Sequence, residues 1–476
     1  MGTGDGTVLG TTLLHNSGPT ASRWNLVLLS EGYRSSEMTQ WHTDAQSFVS
    51  QLFAMPPFNE PAVQGRINIH RVDVTSTNSG ADDPASCGGT GATPKTYFDA
   101  TYCAGGLARL LTADTAIAQG VLKAQVPAWH QAIVVVNSAK YGGSGGAIAV
   151  TSTSGNWVTV AAHELGHSAF ALADEYESWA GCTSGETGQN SYSGTEPTAP
   201  NVTLVSSRTT IKWSPLVQAA TAMPTTRNAN CAVCDPQANP VAAGTIGAFE
   251  GAGYYHCGLF RPAFNCMMRN LTPFCAVCQR TIRRTLNPFE WAPRVVDVRA
   301  PDINFVFDPS GTLVVNDIAP AIQLAGATGS GFLQSRLAPR GVAGTIGAGK
   351  YPYEYRVSMT EVSGPLPASA VRTLSLDFGP IARLNYDGTG GSDVYVVTQG
   401  GLGTVRPASV TQKGDRLTID FGTPGVPAGS GPGGGQTSFF IGFASDHPPR
   451  DTTAQITDGA GNTHTLAARA PAFPTP

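Results

Sequence analysis

His163 and His167 stand four residues apart in the string His163-Glu164-Leu165-Gly166-His167, an HExxH pattern. On an α-helix, residues i and i+4 lie one above the other, ~6 Å apart along the axis, so both imidazoles reach a single ion. Neutral imidazole nitrogens at ~2.0 to 2.1 Å suit Zn2+, and a catalytic zinc takes three protein ligands and keeps a further position for water. Glu164, turned ~100° from His163 about the helix axis, meets that water and not the metal. It is the expected general base: the metal lowers the water's pKa from about 15.7 toward ~7, and the carboxylate takes the proton and later passes it to the leaving amine. The chemistry expected is hydrolysis around one catalytic zinc.

A third ligand must come from beyond the helix. Were the helix unbroken, Asp174 would lie seven residues, or ~10.5 Å, past His167 and out of reach. A turn over residues 170–173 is therefore required, and the run Ala173-Asp174-Glu175-Tyr176-Glu177 offers three carboxylates where the chain returns. Asp174 is the choice and Glu175 its rival, because spacing does not separate adjacent acids; Glu177, Glu186 and Glu196 are more remote options.

Four stretches in order, LLSEGYRSSEM (Leu28 to Met38), VVVNSAKYGGSGG (Val134 to Gly146), HELGHSAFALADEYE (His163 to Glu177) and CMMRNLTPFCAVC (Cys266 to Cys278), resemble the bacterial IgA-specific metalloendopeptidase family, whose members look like metzincin-type zinc peptidases. The resemblance implies that His163 and His167 bind zinc, that Glu164 is the base, that Asp174 of the LADEY string completes the ligands, and that Met268 forms a Met-turn beneath the metal. The chain departs from the longer metzincin signature: Phe170 stands where that signature has its helix-ending glycine, and Ala173 where it has a third histidine.

The elements that must hold these residues read as α/β. Asn156 to Leu172 (NWVTVAAHELGHSAFAL) is a helix with Ser154 or Asn156 as cap. Trp24 to Leu29, Ile67 to Val74, Ala132 to Val136 and Ala147 to Thr151 are strands, and Ser36 to Phe53 and Leu107 to Ala124 helices. Gly80 to Tyr102 reads as a long loop. The Gly-rich run Tyr141 to Gly146 is a turn that lets backbone approach the cleft, and Ala147 to Thr151 the edge strand along which a peptide would lie by strand addition. Past Glu177 the chain reads as irregular until NPFEWAPR (Asn287 to Arg294), a linker that puts the boundary near 292 and gives domains 1–292 and 293–476. From Arg294 the runs VVDV, INFVF, TLVV, YEYRVSM, RTLSLDF, DVYVV, RLTIDF and SFFIGF predict an antiparallel sandwich. Gly425 to Gly435 reads as a mobile hairpin tip, and Ile456 to Leu466 resembles the closing strands of bacterial immunoglobulin-like modules. The fold class expected is an α/β (α+β) metzincin-like zinc peptidase domain followed by an all-β immunoglobulin-like sandwich.

Composition narrows the partners. Among 476 residues only 13% are charged, the net charge is −4, and no Lys/Arg stripe is present, which argues against nucleic acid. The longest apolar runs, such as Ala132 to Val136, fall short of the ~18 residues of a membrane span. A protein or peptide substrate is expected, and a glycan or protein ligand for the C-terminal part. Seven of the nine cysteines cluster between Cys182 and Cys278. Disulfides are preferred over a second zinc for the paired strings Cys231 to Cys234 and Cys275 to Cys278, and a redox role ranks below both. They suggest a secreted or cell-surface protein whose signal peptide has been replaced by Met1. Asp82-Asp83 and Asp387 to Asp393 are weak Ca2+ candidates against a plain turn. Two other functions accommodate the same residues: a non-catalytic adhesion protein with a degenerate peptidase domain, and a zinc hydrolase of non-peptide substrates.

Overall fold

Continuous apolar runs such as Ala132 to Val136 are what a strand buried on both faces requires, and they form the centre of a six-stranded sheet. Its strands are β1 (Gly6–His15), β2 (Trp24–Glu31), β3 (Ile67–Ser76), β4 (Gln131–Val136), β5 (Gly143–Ser144) and β6 (Ala149–Ser152), in the order β1-β3-β2-β4-β6-β5. The computed structural model describes residues 2–179, 181–182, 188–311 and 315–472, which fall into two compact units, Met1–Leu286 and Asn287–Pro476.

In the first unit β3, β2, β4 and β6 run parallel, while β1 and β5 are antiparallel to their neighbours. Strand alternation sends Val27, Leu29, Val134 and Val136 to one face, where they pack with Ala118, Val121 and Leu122 of helix α3 (Thr115–Gln125). On the chain between β2 and β3 lie α1 (Met38–Leu52) and the short α2 (Pro61–Gln64). α1 packs against α4 (Trp157–Phe170), with Phe48 stacked on Trp157 at 5.9 Å.

Three local expectations fail for identifiable reasons. α3 begins at Thr115, not Leu107, because Asp114 Oδ1 accepts the N–H groups of Ala116 (2.9 Å) and Ile117 (3.0 Å), a strong N-cap; residues 107–114 instead bridge to Thr101 and Gly143. The run at 141–146 supplies β5, a strand and not only a turn, so Ala149–Ser152 is paired on both sides by β4 and β5 and cannot be the edge. The stretch after Glu177 is not structureless: β7 (Gln189–Ser191), β8 (Phe249–Ala252) and β9 (Tyr255–Arg261) form a small sheet, followed by α5 (Met267–Asn270) and α6 (Ala276–Leu286).

Glu31, at the end of β2, is fully buried, and its carboxylate accepts the N–H groups of Phe98 (2.9 Å) and Ala100 (3.0 Å), anchoring the long loop that follows β3. Glu31→Ala would leave two buried donors unmatched, each worth ~1 to 3 kcal/mol, so a loss of about 2 to 6 kcal/mol is expected in denaturant unfolding. A change below about 0.5 kcal/mol would show that the loop is held by other contacts.

The second unit carries two sheets that share one apolar core, with Leu374, Ile419 and Ile456 from one and Tyr355, Val396 and Ile441 from the other. The first orders Glu290–Trp291, Ser409–Lys413, Arg416–Asp420, Ala370–Asp377, Pro449–Asp458 and Thr463–Pro471, with Val426–Pro427 joined to Ala370–Val371. The second orders Val295–Arg299, Val394–Gln399, Phe440–Ser445, Tyr351–Ser358, Gly331–Leu337 and Val315–Ile322. Pairing is antiparallel except for Val295–Arg299 with Val394–Gln399, which is parallel. INFVF is not a strand: Ala300–Phe307 is helical, with Pro301 in the first turn, where its missing N–H costs nothing. Thr312 to Val314 of TLVV lie outside the described residues. The Gly425 to Gly435 stretch is only in part a tip, because residues 425–429 are buried by the pairing of Val426–Pro427.

Candidate metal centre and active site

α4 presents His163 and His167 on one face, one turn apart, and ends where the chain has to turn back. Ala171 adopts the left-handed conformation (φ 52°), and Leu172 N–H bonds Gly166 O at 2.9 Å, closing the helix C-terminus. The next residues are bonded on several sides. Asn201 accepts from Ala173 N–H and donates to Ala173 O, both at 2.8 Å; Glu175 N–H donates to Met268 O (2.7 Å), and Gly253 N–H to Asp174 O (3.0 Å). These bonds fix Asp174 beside the two histidines. Asp174 Oδ1 lies 3.2 Å from Nε2 of His163 and 3.2 Å from Nε2 of His167, and the two Nε2 atoms are 3.2 Å apart.

That triangle has the dimensions of a metal cradle. Bonds of ~2.0 to 2.1 Å in a tetrahedron put neighbouring donor atoms about 3.3 to 3.4 Å apart. The histidine tautomers agree: Nδ1 of His163 donates to Met267 O (2.9 Å) and Nδ1 of His167 to Leu172 O (2.7 Å), so a neutral ring has only a lone pair at Nε2. Three lone-pair atoms turned on one another repel unless a cation or added protons lie between them. Asp174 Oδ1 is buried without a hydrogen-bond donor, while Tyr254 OH donates to Oδ2. The electrostatics of the bare protein express the same demand. Burial opposes charge on both rings, but Asp174 prevails and lifts His163 above its usual range and His167 to about 9. Burial also works to raise Asp174, yet the two imidazoles hold it well below the ordinary carboxylate range. A divalent ion would take the place of those protons.

Glu164 is 9% exposed, and burial holds its carboxyl above the usual range, against the pull of the imidazoles. It opens onto a cavity of about 660 Å3 lined by Gly143 to Gly146, both histidines, Asp174, Tyr176, Trp179 and Tyr254. An adjoining cavity of about 610 Å3 shares Arg109, His163, Glu164, Tyr176 and Trp179 with it and reaches Tyr141 and Leu271. The glycines let backbone approach the reacting groups: a Cβ at Gly145 would lie 3.0 Å from His167 Cβ and 3.3 Å from Glu164 Oε2. Gly166 serves the opposite side of the helix, where Met268 packs so closely that a Cβ would meet its Sδ at 2.5 Å.

The other acids go elsewhere. Glu175 turns away from the histidines toward Cys266, Cys275 and Cys278. Glu177 lies buried 3.7 Å from Arg261 and 3.8 Å from Arg269 and accepts Asp235 N–H at 3.0 Å. Glu196 pairs with Lys212 at 2.9 Å, and Glu186 lies outside the described residues. Of the Ca2+ candidates, Asp83 pairs with Lys140 and Asp387 caps its own turn through Thr389 N–H (3.0 Å); neither belongs to a cluster with metal-ligand spacing among the described residues. The cysteines divide in a way their spacing did not reveal. Cys87–Cys103, Cys182–Cys234 and Cys231–Cys257 are disulfides, whereas Cys275 and Cys278 of the second CAVC string remain free together with Cys266. Asn201, which bonds the residues on either side of Asp174, and Tyr254, which bonds its Oδ2, carry no local signal, since each acts from a segment remote in sequence.

The family model described as IgA Peptidase M64 matches residues 12–234 and 231–286 of the chain. No curated protein matches it.

Proposed function

Because the chain belongs to the IgA peptidase M64 family and is therefore a metallopeptidase, we propose that it is a zinc endopeptidase acting on an extracellular protein, with His163, His167 and Asp174 as ligands and Glu164 as general base. The observation that carries this reading is the convergence of three donor atoms at 3.2 Å with both Nδ1 protons already committed to backbone carbonyls. Zinc bound there supplies Lewis-acid polarisation of the scissile carbonyl and acidifies water.

The chain's own groups do the rest. Met267 O and Leu172 O hold the imidazoles in the tautomer that offers Nε2, and Tyr254 OH steadies Asp174 through Oδ2. Glu164 receives the proton of the attacking water and carries it to the departing amine; its burial keeps it basic enough to take that proton. The substrate lies in the cleft along Gly145 and Gly146, since the outer side of Gly143 is bridged by Leu110. Three disulfides favour an oxidising compartment outside the cell. The second unit, with two sheets around one core, serves in this reading as an immunoglobulin-like accessory module that holds a glycan or protein ligand.

An unbiased peptide-cleavage profile tests the proposal. Cleavage is expected within peptide chains, lost on treatment with a zinc chelator and restored by Zn2+. Turnover that survives complete metal removal, or hydrolysis confined to esters, would overturn it.

A further inference from the structure

Six of the nine cysteines are paired, and the other three converge on a single buried acid. Cys266 immediately precedes α5, Cys275 immediately precedes α6, and Cys278 lies in the first turn of α6. Their sulfurs and a carboxylate oxygen of Glu175 all lie within 4.8 Å of one another. Cys266 Sγ is 3.6 Å from Cys278 Sγ and accepts Cys275 N–H at 3.3 Å, while Cys278 Sγ is 3.5 Å from Glu175 Oε1.

Glu175 supplies the independent indication of a ligand. It is fully buried; Oε1 accepts from Asn201 Nδ2 (2.9 Å), but Oε2 has no hydrogen-bond partner among the described residues. A carboxylate oxygen withdrawn from water without a partner costs several kcal/mol, and carboxylates are found so placed when they are paired or bind a metal. A Zn–S distance of ~2.3 Å gives a sulfur-to-sulfur edge of about 3.8 Å in a tetrahedron, close to the 3.6 Å between Cys266 and Cys278.

We propose that Glu175, Cys266, Cys275 and Cys278 hold a second, structural zinc ion. Binding releases the three thiol protons to solvent and leaves three thiolates and one carboxylate around the ion, a closed set of four protein ligands with no position for substrate. Such an ion also explains how three clustered thiols persist beside three disulfides. Its place in the chain gives it a task. Glu175 follows Asp174, Cys266 stands two residues before Met268, and Glu175 N–H already bonds Met268 O. The ion therefore fastens the segment that carries Asp174 to the segment that lies beneath α4.

The test combines metal analysis with thiol titration on the full chain, purified without reductant. Two zinc ions per chain are expected, with three thiols that react only after denaturation in chelator. Cys275→Ser and Cys278→Ser should each lower zinc from two to one. His167→Ala removes the other site and makes the assay independent of the fate of those variants: loaded with Co2+, it should show sulfur-to-cobalt charge-transfer absorption. One zinc with a single titratable thiol would mean that two of these cysteines form a disulfide and would overturn the proposal. One zinc with three freely reactive thiols, or no charge-transfer band in the His167→Ala protein, would overturn it equally. Failure of the catalytic reading would look different, leaving one ion in wild type that His167→Ala does not remove.

Discussion

Glu164→Gln is expected to lower kcat for peptide cleavage by about 10^3-fold, within the ~10^2 to 10^4 range of general acid–base catalysis, while the zinc content stays unchanged. Glutamine matches glutamate in shape, so the cavity that Glu164 lines and the close approach of Gly145 are preserved. What it removes is the capacity to take a proton. Zinc retention follows because Glu164 contributes none of the three converging donor atoms. Burial raises the Glu164 carboxyl above its ordinary value of 4.5, so the proton-accepting form is lost as the pH falls through that raised value. Wild type should therefore lose kcat/KM on the acid side, and the residual activity of the variant should lack that limb. Unchanged cleavage in Glu164→Gln would remove this residue from the role of base.

Asp174→Ala is expected to strip the catalytic ion. Losing a group that merely hydrogen-bonds a metal ligand costs ~10 to 100-fold in affinity, and loss of a direct ligand exceeds that. Equilibrium dialysis against a chelator of known strength measures the fall, and peptide turnover should disappear with it. Asp174→Asn is the sharper comparison, since it keeps the volume and an oxygen but gives up the negative charge that attracts the cation. Glu175→Gln should leave the histidine-bound ion in place, because Glu175 faces the thiol cluster. Full retention of the histidine-bound ion in Asp174→Ala would assign the third ligand to another group.

How far these assignments were legible depends on the range over which each is decided. The two histidines and Glu164 were readable because one α-helical turn fixes their relation, whatever surrounds it. The choice of Asp174 over Glu175 needed the turn at Ala171 and the bonds from Asn201, Gly253 and Met268, three segments up to about a hundred residues away. The strand at Gly143–Ser144 has no sequence signature, because a two-residue glycine-rich element has no periodicity, and without it Ala147 to Thr151 reads as the edge. Helix α6 lies in a cysteine-rich stretch whose composition points to irregular structure, yet AVCQRTIRRTL buries Val277, Cys278, Ile282 and Leu286 at helical spacing. INFVF shows the reverse error: an apolar run short enough for either state, settled as helix by Pro301 at its start.

By itself the sequence determined what is set within a few residues: the helix that carries the HExxH string, the buried strands at Trp24 to Leu29 and Ala132 to Val136, and the β-rich character of the second unit. Only the tertiary structure decided which acid meets the histidines, which cysteines pair and which remain with Glu175, and which strand borders the cleft. The physical reason is that helical rise and side-chain alternation are local properties of the backbone. Convergence of ligands and pairing of sulfurs depend on where distant segments are brought, and hydrogen bonds such as Glu175 N–H to Met268 O fix that only once the chain has folded.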